Sequence, residues 1–295
     1  MIPRGPITAW RAVAPWATDA QVEQDLIVSR ALVQIFSEPT LSTRAAFRGG
    51  TALHKLFLSP PSRYSEDIDL VQVKPEPIGP TLTALHKTLD SWLGEPRRKQ
   101  SEGRVTLVYR FDSEVPPITP LRLKVEINTR EQFSVFGFIR KKFAVKSSWF
   151  SGEAELITYS LEELLGTKLR ALYQRKQGRD LFDLAIAFKK APKLDPKRVV
   201  TSFLNYIEHR GLRISRAEFE ANMAEKMRDA DFRTDVKPLL VSGAFQASAF
   251  EKESFQTGKA EYDPDAAYRQ VHQALIELLP GDPWKGPTRA LRRSA

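Results

Sequence analysis

The chain has 295 residues, 42% hydrophobic and 27% charged, with a formal net charge of +9 and an isoelectric point near 9.6. That length holds two ordinary domains with cores of their own, and the absence of cysteine excludes disulfides, thiolate nucleophiles and zinc–thiolate sites. No apolar run approaches the ~18 residues of a membrane helix and Met1-Ile2-Pro3-Arg4-Gly5-Pro6 has no secretory core, so a cytoplasmic protein without a membrane partner is expected. His54, His86, His209 and His272 are scattered without ligand spacing, and there is no serine-hydrolase elbow, Walker A loop or Gly-x-Gly-x-x-Gly. The basic excess is spread over Arg97-Arg98-Lys99, Arg140-Lys141-Lys142, Lys168 to Arg179, Lys189-Lys190 and Arg289 to Arg293. It favours a polyanionic partner such as RNA, with plain solubility as the alternative.

In chain order, Thr18 caps a first helix from about Ala20 to Ser37, apolar almost all round and therefore expected to be buried. Ala45-Ala46-Phe47-Arg48 reads as a short strand. Gly49-Gly50 turns it tightly into a helix opening at Thr51. Asp67-Ile68-Asp69-Leu70-Val71-Gln72-Val73 alternates as a strand, and a helix from about Thr81 to Leu93 follows. Arg104 to Phe111 and Leu121 to Asn128 alternate as well and are expected to pair across the loop at Pro116-Pro117. Phe133, Phe136, Phe138 and Phe143 read as core aromatics on strands, or as a surface on which unpaired bases stack.

From about residue 150 the pattern turns helical. Ser160-Leu161-Glu162-Glu163 opens a helix to about Lys176, with Leu161, Leu164, Leu165, Leu169 and Leu172 as its buried stripe and Gly178 as its stop. A helix beginning near Arg179 follows. Asp195-Pro196, Ser215-x-x-Glu218 and Asp263-Pro264 start others, and the residues after Pro280 read as a loose basic tail. The expected fold class is α+β: a core at 1–150 with a mixed sheet flanked by helices, then an all-helical domain at 151–295 completing the active-site cleft.

Chemistry concentrates around Gly49. Free N–H groups at the start of the Thr51 helix, with the helix dipole, favour a phosphate. Asp67 and Asp69 lie two apart on a strand and point the same way, and two close carboxylates repel unless a cation sits between them. Mg²⁺, with Mn²⁺ as its substitute, supplies that cation through hard oxygen ligands. Glu126, on the polar face of its strand with Arg122 and Lys124, is a third metal ligand, a base for an attacking hydroxyl, or a neutraliser of those two cations. Lys168 and Arg175, two turns apart, share a helix face, and two aspartates, Asp180 and Asp183, stand in the first turn of the next helix. They read as a dipole-complementing pair, as an ion pair pinning two helices, or as catalytic groups.

Phe47-Arg48-Gly49-Gly50-Thr51-Ala52-Leu53-His54-Lys55, Arg63-Tyr64-Ser65-Glu66-Asp67-Ile68-Asp69-Leu70 and Lys168-x6-Arg175-x3-Arg179-Asp180-x2-Asp183-Leu184 together resemble the AbiEii/AbiGii toxin family of the nucleotidyltransferase superfamily. The resemblance covers residues 20 to 190 or so. It implies that Gly49, Gly50 and Thr51 bind nucleotide phosphates and that Ser65, Asp67 and Asp69 hold metal and nucleotide. Lys168 and Asp183 would complete the catalytic set, with Arg179 and Asp180 beside the nucleotide. Asp183 is left to orient a ribose, the lysine or an incoming hydroxyl. The implied activity is transfer of a nucleoside monophosphate from an NTP to an acceptor, the 3′ end of tRNA being preferred, with a cognate antitoxin encoded nearby. Adenylylation of a small molecule or a protein hydroxyl, and an inactive RNA- or nucleotide-binding relic, are the rival readings.

Overall fold

The computed structural model describes residues 2–240 and 262–286. The described residues divide into two compact units, 2–164 with 239–240, and 165–238 with 262–286.

The first unit contains α1 (Arg4–Trp10), α2 (Asp19–Ser37), α3 (Leu41–Arg44), β1 (Ala45–Arg48), α4 (Gly49–Leu56), β2 (Ile68–Gln72), α5 (Gly79–Leu93), β3 (Arg97–Ser101), β4 (Arg104–Asp112), β5 (Pro120–Asn128), β6 (Ile139–Lys146), β7 (Ser151–Thr158) and the start of α6 (Leu161–Gln174). The seven strands form one mixed sheet in the order β3-β4-β5-β2-β1-β7-β6. β2 runs antiparallel to β1 and parallel to β5, while β4 pairs with β5 as expected. Alternation decides which face is dry: Val105, Leu107 and Tyr109 of β4 and Leu123, Val125 and Ile127 of β5 are buried, and their neighbours in sequence are not. α2 packs against this sheet and buries Val22, Leu26, Leu32 and Ile35 fully, as its all-round apolarity demands. Thr18 caps it in a reciprocal box with Gln21.

The expected boundary at residue 150 needs correction. It would cut the hairpin in which β7, Ser151–Thr158, pairs with β6 and also with β1. The division falls instead at Leu164, inside α6.

The second unit holds the rest of α6, then α7 (Gly178–Lys190), α8 (Pro196–Glu208), α9 (Arg216–Lys226), α10 (Ala230–Thr234) and α11 (Pro264–Ala274), and its described residues form no strand. Asp195, Ser215 and Asp263 are side-chain caps at the expected positions. Gly178 is not the stop of α6, which ends at Gln174. It is the first residue of α7, where a Cβ would lie 1.8 Å from the Phe232 carbonyl, so contact rather than capping requires glycine there. The basic tail from Arg289 to Arg293 lies outside the described residues. No described helix is long and apolar enough to cross a membrane.

Candidate active site

The Gly-Gly corner joins β1 to α4. Gly49 takes φ +83°, which L side chains rarely adopt, and the turn delivers the chain straight into the helix. Arg48 at the N-cap makes no side-chain cap, so the first N–H groups of α4 keep their affinity for an anion. β1 pairs with β2 in a register that sets Arg48 opposite Asp69. The carboxylate of Asp69 consequently lies against the corner: a Cβ on Gly49 would sit 2.1 Å from its Oδ2. On the next residue, a Cβ would meet the Arg63 guanidinium at 2.6 Å and Ser65 Oγ at 3.1 Å. Thr51 is buried, with Oγ1 2.9 Å from Ser65 Oγ. A pocket of about 110 Å³ opens beside them, with Trp10, Trp16, Asp25, Thr51, Lys55 and Ser65 in its lining.

The parallel pairing of β2 with β5 sets Asp69 opposite Glu126 and so assembles Asp67, Asp69 and Glu126 on one side of the sheet. Lys124, two residues before Glu126, reaches among them, with Nζ 2.7 Å from Asp67 Oδ2 and 3.8 Å from Glu126 Oε2. Arg104 on β4 lies 3.3 Å from Glu126 Oε1. Burial first, and then the charge of Asp67, push the Asp69 pKa up. Arg48 opposes the rise, Glu126 adds to it and Lys124 opposes it. Burial is the largest single influence on Lys124 and works against its charge, but the hydrogen bond to Asp67 together with the charges of Asp67, Asp69 and Glu126 raises its pKa. Among the described residues, no three Asp, Glu or His side chains already converge as a metal-binding group. The donor set nonetheless suits a hard divalent cation, since Asp67 and Glu126 share one ammonium and Asp69 beside them has its pKa raised by burial and by both of those acids.

Three residues here were not singled out as site residues in the sequence, although all lie in or beside the motifs. Arg63 is buried, donates from Nη1 to the Tyr64 carbonyl at 2.9 Å and backs Gly50. Arg48 holds Glu131 at 2.8 Å and lends its charge to Asp69. In the sequence Lys124 shows only as a charge on the polar face of β5. Its place shows in the alternation, but its partner Asp67 depends on strand order.

In the second unit, Lys168, Asp180 and Asp183 come together as well. Lys168 Nζ lies 3.1 Å from Asp180 Oδ1 and 2.9 Å from Asp183 Oδ2, and both aspartates are fully buried. Arg175, just past the end of α6, donates from Nε and Nη2 to the two oxygens of Asp180, at 2.7 and 2.8 Å. Burial raises the Asp180 pKa, but Lys168 and then Arg175 outweigh it and hold it below the usual carboxylate range. Asp180, expected beside the nucleotide, therefore has both oxygens engaged inside its own unit. Arg179 stands apart from this cluster and donates to Gln177 Oε1 at 3.0 Å.

Comparison with known proteins settles the family. The sequence profile of the nucleotidyl transferase AbiEii toxin family, type IV toxin–antitoxin system, matches residues 30–252, well over half of the chain. The chain belongs to the AbiEii family. Its fold is similar to that of MenT4, a nucleotidyltransferase toxin from Mycobacterium tuberculosis H37Rv, with a TM-score of 0.53, 16% identity, 81% of this chain covered and 94% of that one. A protein from H. pylori described as a nucleotidyltransferase gives a TM-score of 0.48 at 16% identity, covering 90% of this chain and 100% of its own. No curated protein matches the chain. Membership in the AbiEii family brings with it a nucleotide substrate and a cognate antitoxin.

Proposed function

We propose that this AbiEii-family protein transfers a nucleoside monophosphate from an NTP to the 3′-terminal hydroxyl of tRNA and so blocks translation. One observation carries the reading: the Asp69 carboxylate lies directly on Gly49, the residue that turns the chain into an uncapped helix N-terminus. Phosphate-binding N–H groups and a metal-binding carboxylate thus share one corner.

Gly49, Gly50 and Thr51 would take the phosphates on their backbone N–H groups, with Ser65 backing Thr51. Asp67, Asp69 and Glu126 would hold Mg²⁺, which when bound neutralises phosphate charge and lowers the cost of ionising the acceptor hydroxyl. The acceptor oxygen attacks the α-phosphorus, the bond to the bridging oxygen of the β-phosphate breaks, and pyrophosphate leaves. The hydroxyl proton passes to a carboxylate of the same cluster. Lys168 and Asp183 are assigned a part in the reaction on the strength of the family resemblance alone, and within their own unit they form a buried ion pair. The setting of this chemistry is the cytoplasm.

Purified protein incubated with each labelled NTP, Mg²⁺, and total tRNA or total cell protein tests the proposal. Label in tRNA is the expected result. Label in protein or in neither transfers the case to protein modification or to an inactive relic.

A further inference from the structure

The strand register extends the acidic corner outward to the edge of the sheet. Residues directly opposite one another across paired strands share a face. Asp69 is opposite Glu126, Glu126 opposite Thr106, and Thr106 opposite Lys99 of the edge strand β3. On the same face, Lys124 is opposite Val108 and Val108 opposite Arg97, while Arg122 is opposite Arg110. The other face of β4 and β5 is the dry one, so this face meets solvent, and Arg97, Lys99, Arg110 and Arg122 are all exposed. The acids that β3, β4 and β5 place here are Glu126, already held by Arg104 and Lys124, and Asp112 at the end of β4.

Two features of this face do not serve folding. Arg110 directly faces Arg122, a like-charge pair that costs stability across a ladder. β3 is exposed along its whole length and carries its cations without an apolar residue between them. Both make sense under a polyanion. A protein partner would ask for an apolar centre, and these strands set only Val108 and, at the end of the ladder, Pro120 on this face.

We infer that the solvated face of β3, β4 and β5 is the docking surface for the acceptor RNA, its backbone phosphates on Arg97, Lys99, Arg110 and Arg122 and its 3′ end at Asp67, Asp69 and Glu126. The inference rests on the transfer reaction proposed above and adds where the acceptor lies. Adjacent strands are ~4.8 Å apart, which puts the edge strand β3 about 14 Å across the sheet from β2, a span for the last few nucleotides. Contacts of this kind read phosphate and not base, so recognition is by backbone and shape.

The test is binding of total tRNA to the full chain over a range of salt, together with transfer of labelled nucleotide. The variants are Arg97→Gln with Lys99→Gln, Arg110→Gln with Arg122→Gln, and, as a control on the far sheet edge, Lys142→Gln with Lys146→Gln, both exposed on β6. Each double variant of the docking face should weaken tRNA binding on the order of tenfold at moderate salt and flatten the log–log salt slope by about 2, the control leaving both near wild type. Arg110→Glu provides a second readout: it replaces a repulsive cross-strand pair with an attractive one, so it should melt higher yet bind tRNA more weakly. Equal losses in the β6 control, or no loss in the face variants while the wild type still labels tRNA, overturn the docking face and leave the reaction standing. A wild type that neither binds nor labels tRNA ends both.

Discussion

The ammonium of Lys124 lies 2.7 Å from the Asp67 carboxylate, so the acidic face of this site carries a cation of its own. Lys124 occupies Asp67 Oδ2, so a divalent ion drawn to that carboxylate would compete with it, and a displaced ammonium would be at hand for arriving phosphates. Lys124→Met should therefore bind Mn²⁺ more tightly, by roughly tenfold, as read from the electron paramagnetic resonance of the free ion. The same variant should melt lower in chelator, where Asp67, Asp69 and Glu126 are left to repel one another. An unchanged Mn²⁺ affinity would mean that the lysine and the metal do not compete.

Asp69 separates catalysis from folding. Its carboxylate is raised in pKa by burial and by Asp67, so Asp69→Asn removes a repelled charge and keeps the shape that packs on Gly49. Transfer of labelled nucleotide should fall on the order of a hundredfold or more, with circular dichroism and melting temperature preserved or slightly improved. Normal transfer by this variant would remove Asp69 from the reaction.

The glycine corner should be intolerant in a graded way. Gly49→Ala faces both a strained φ of +83° and an Asp69 oxygen 2.1 Å from the new carbon, so either the turn or the carboxylate must move. A loss of ~1–3 kcal/mol in stability and on the order of a hundredfold in transfer is expected. Gly50→Ala meets only side-chain ends, those of Arg63 and Ser65, and should cost less by both denaturation and transfer assays. Equal damage at the two positions would argue against a contact with Asp69.

These contrasts show which parts of the site were legible in the chain. Alternation in β5 put Lys124, Glu126 and Arg122 on one face, and the two-residue spacing did the same for Asp67 and Asp69, because strand periodicity is local. Thr18, Asp195 and Ser215 announced their helices for the same reason. What escaped was non-local or unpatterned. Lys124 meets Asp67 only because β2 and β5 are parallel neighbours, which no spacing encodes. β3 shows in the sequence only as a run of charge, since Arg97 to Ser101 is exposed on both faces and has no alternation to betray a strand. Gly178 fitted a stop signal, but the Phe232 carbonyl that excludes a side chain there comes from more than fifty residues away.

The Lys168 cluster is expected to fail differently from Asp69. Lys168→Met leaves Asp180 and Asp183, both fully buried, without their shared ammonium. Removing one partner of a buried ion pair costs ~3–5 kcal/mol, so chemical denaturation should show this variant strongly destabilised. Its loss of transfer has to be compared at a temperature where it is folded. If transfer is then near wild type, Lys168 holds the second unit together and takes no further part.

Lys226 offers a test by pH. Its ammonium is buried against the end of α6, where it donates to the Leu172 carbonyl and to the Tyr173 carbonyl at 2.7 Å. Burial lowers its pKa to about 8, with Asp180 and Glu225 pulling the other way. In an unfolded chain a lysine titrates near ~10.4. Between those values the unfolded chain binds more protons than the folded one, so this residue makes stability rise with pH through that window and contributes no slope below about 8. Urea unfolding followed across that window should show the wild type gaining about 1–3 kcal/mol relative to Lys226→Met. Below the window the variant should be less stable by a constant amount, because the two helix-end carbonyls lose their donor. A wild type and variant that run parallel throughout would show that Lys226 keeps an ordinary ammonium pKa in the folded protein.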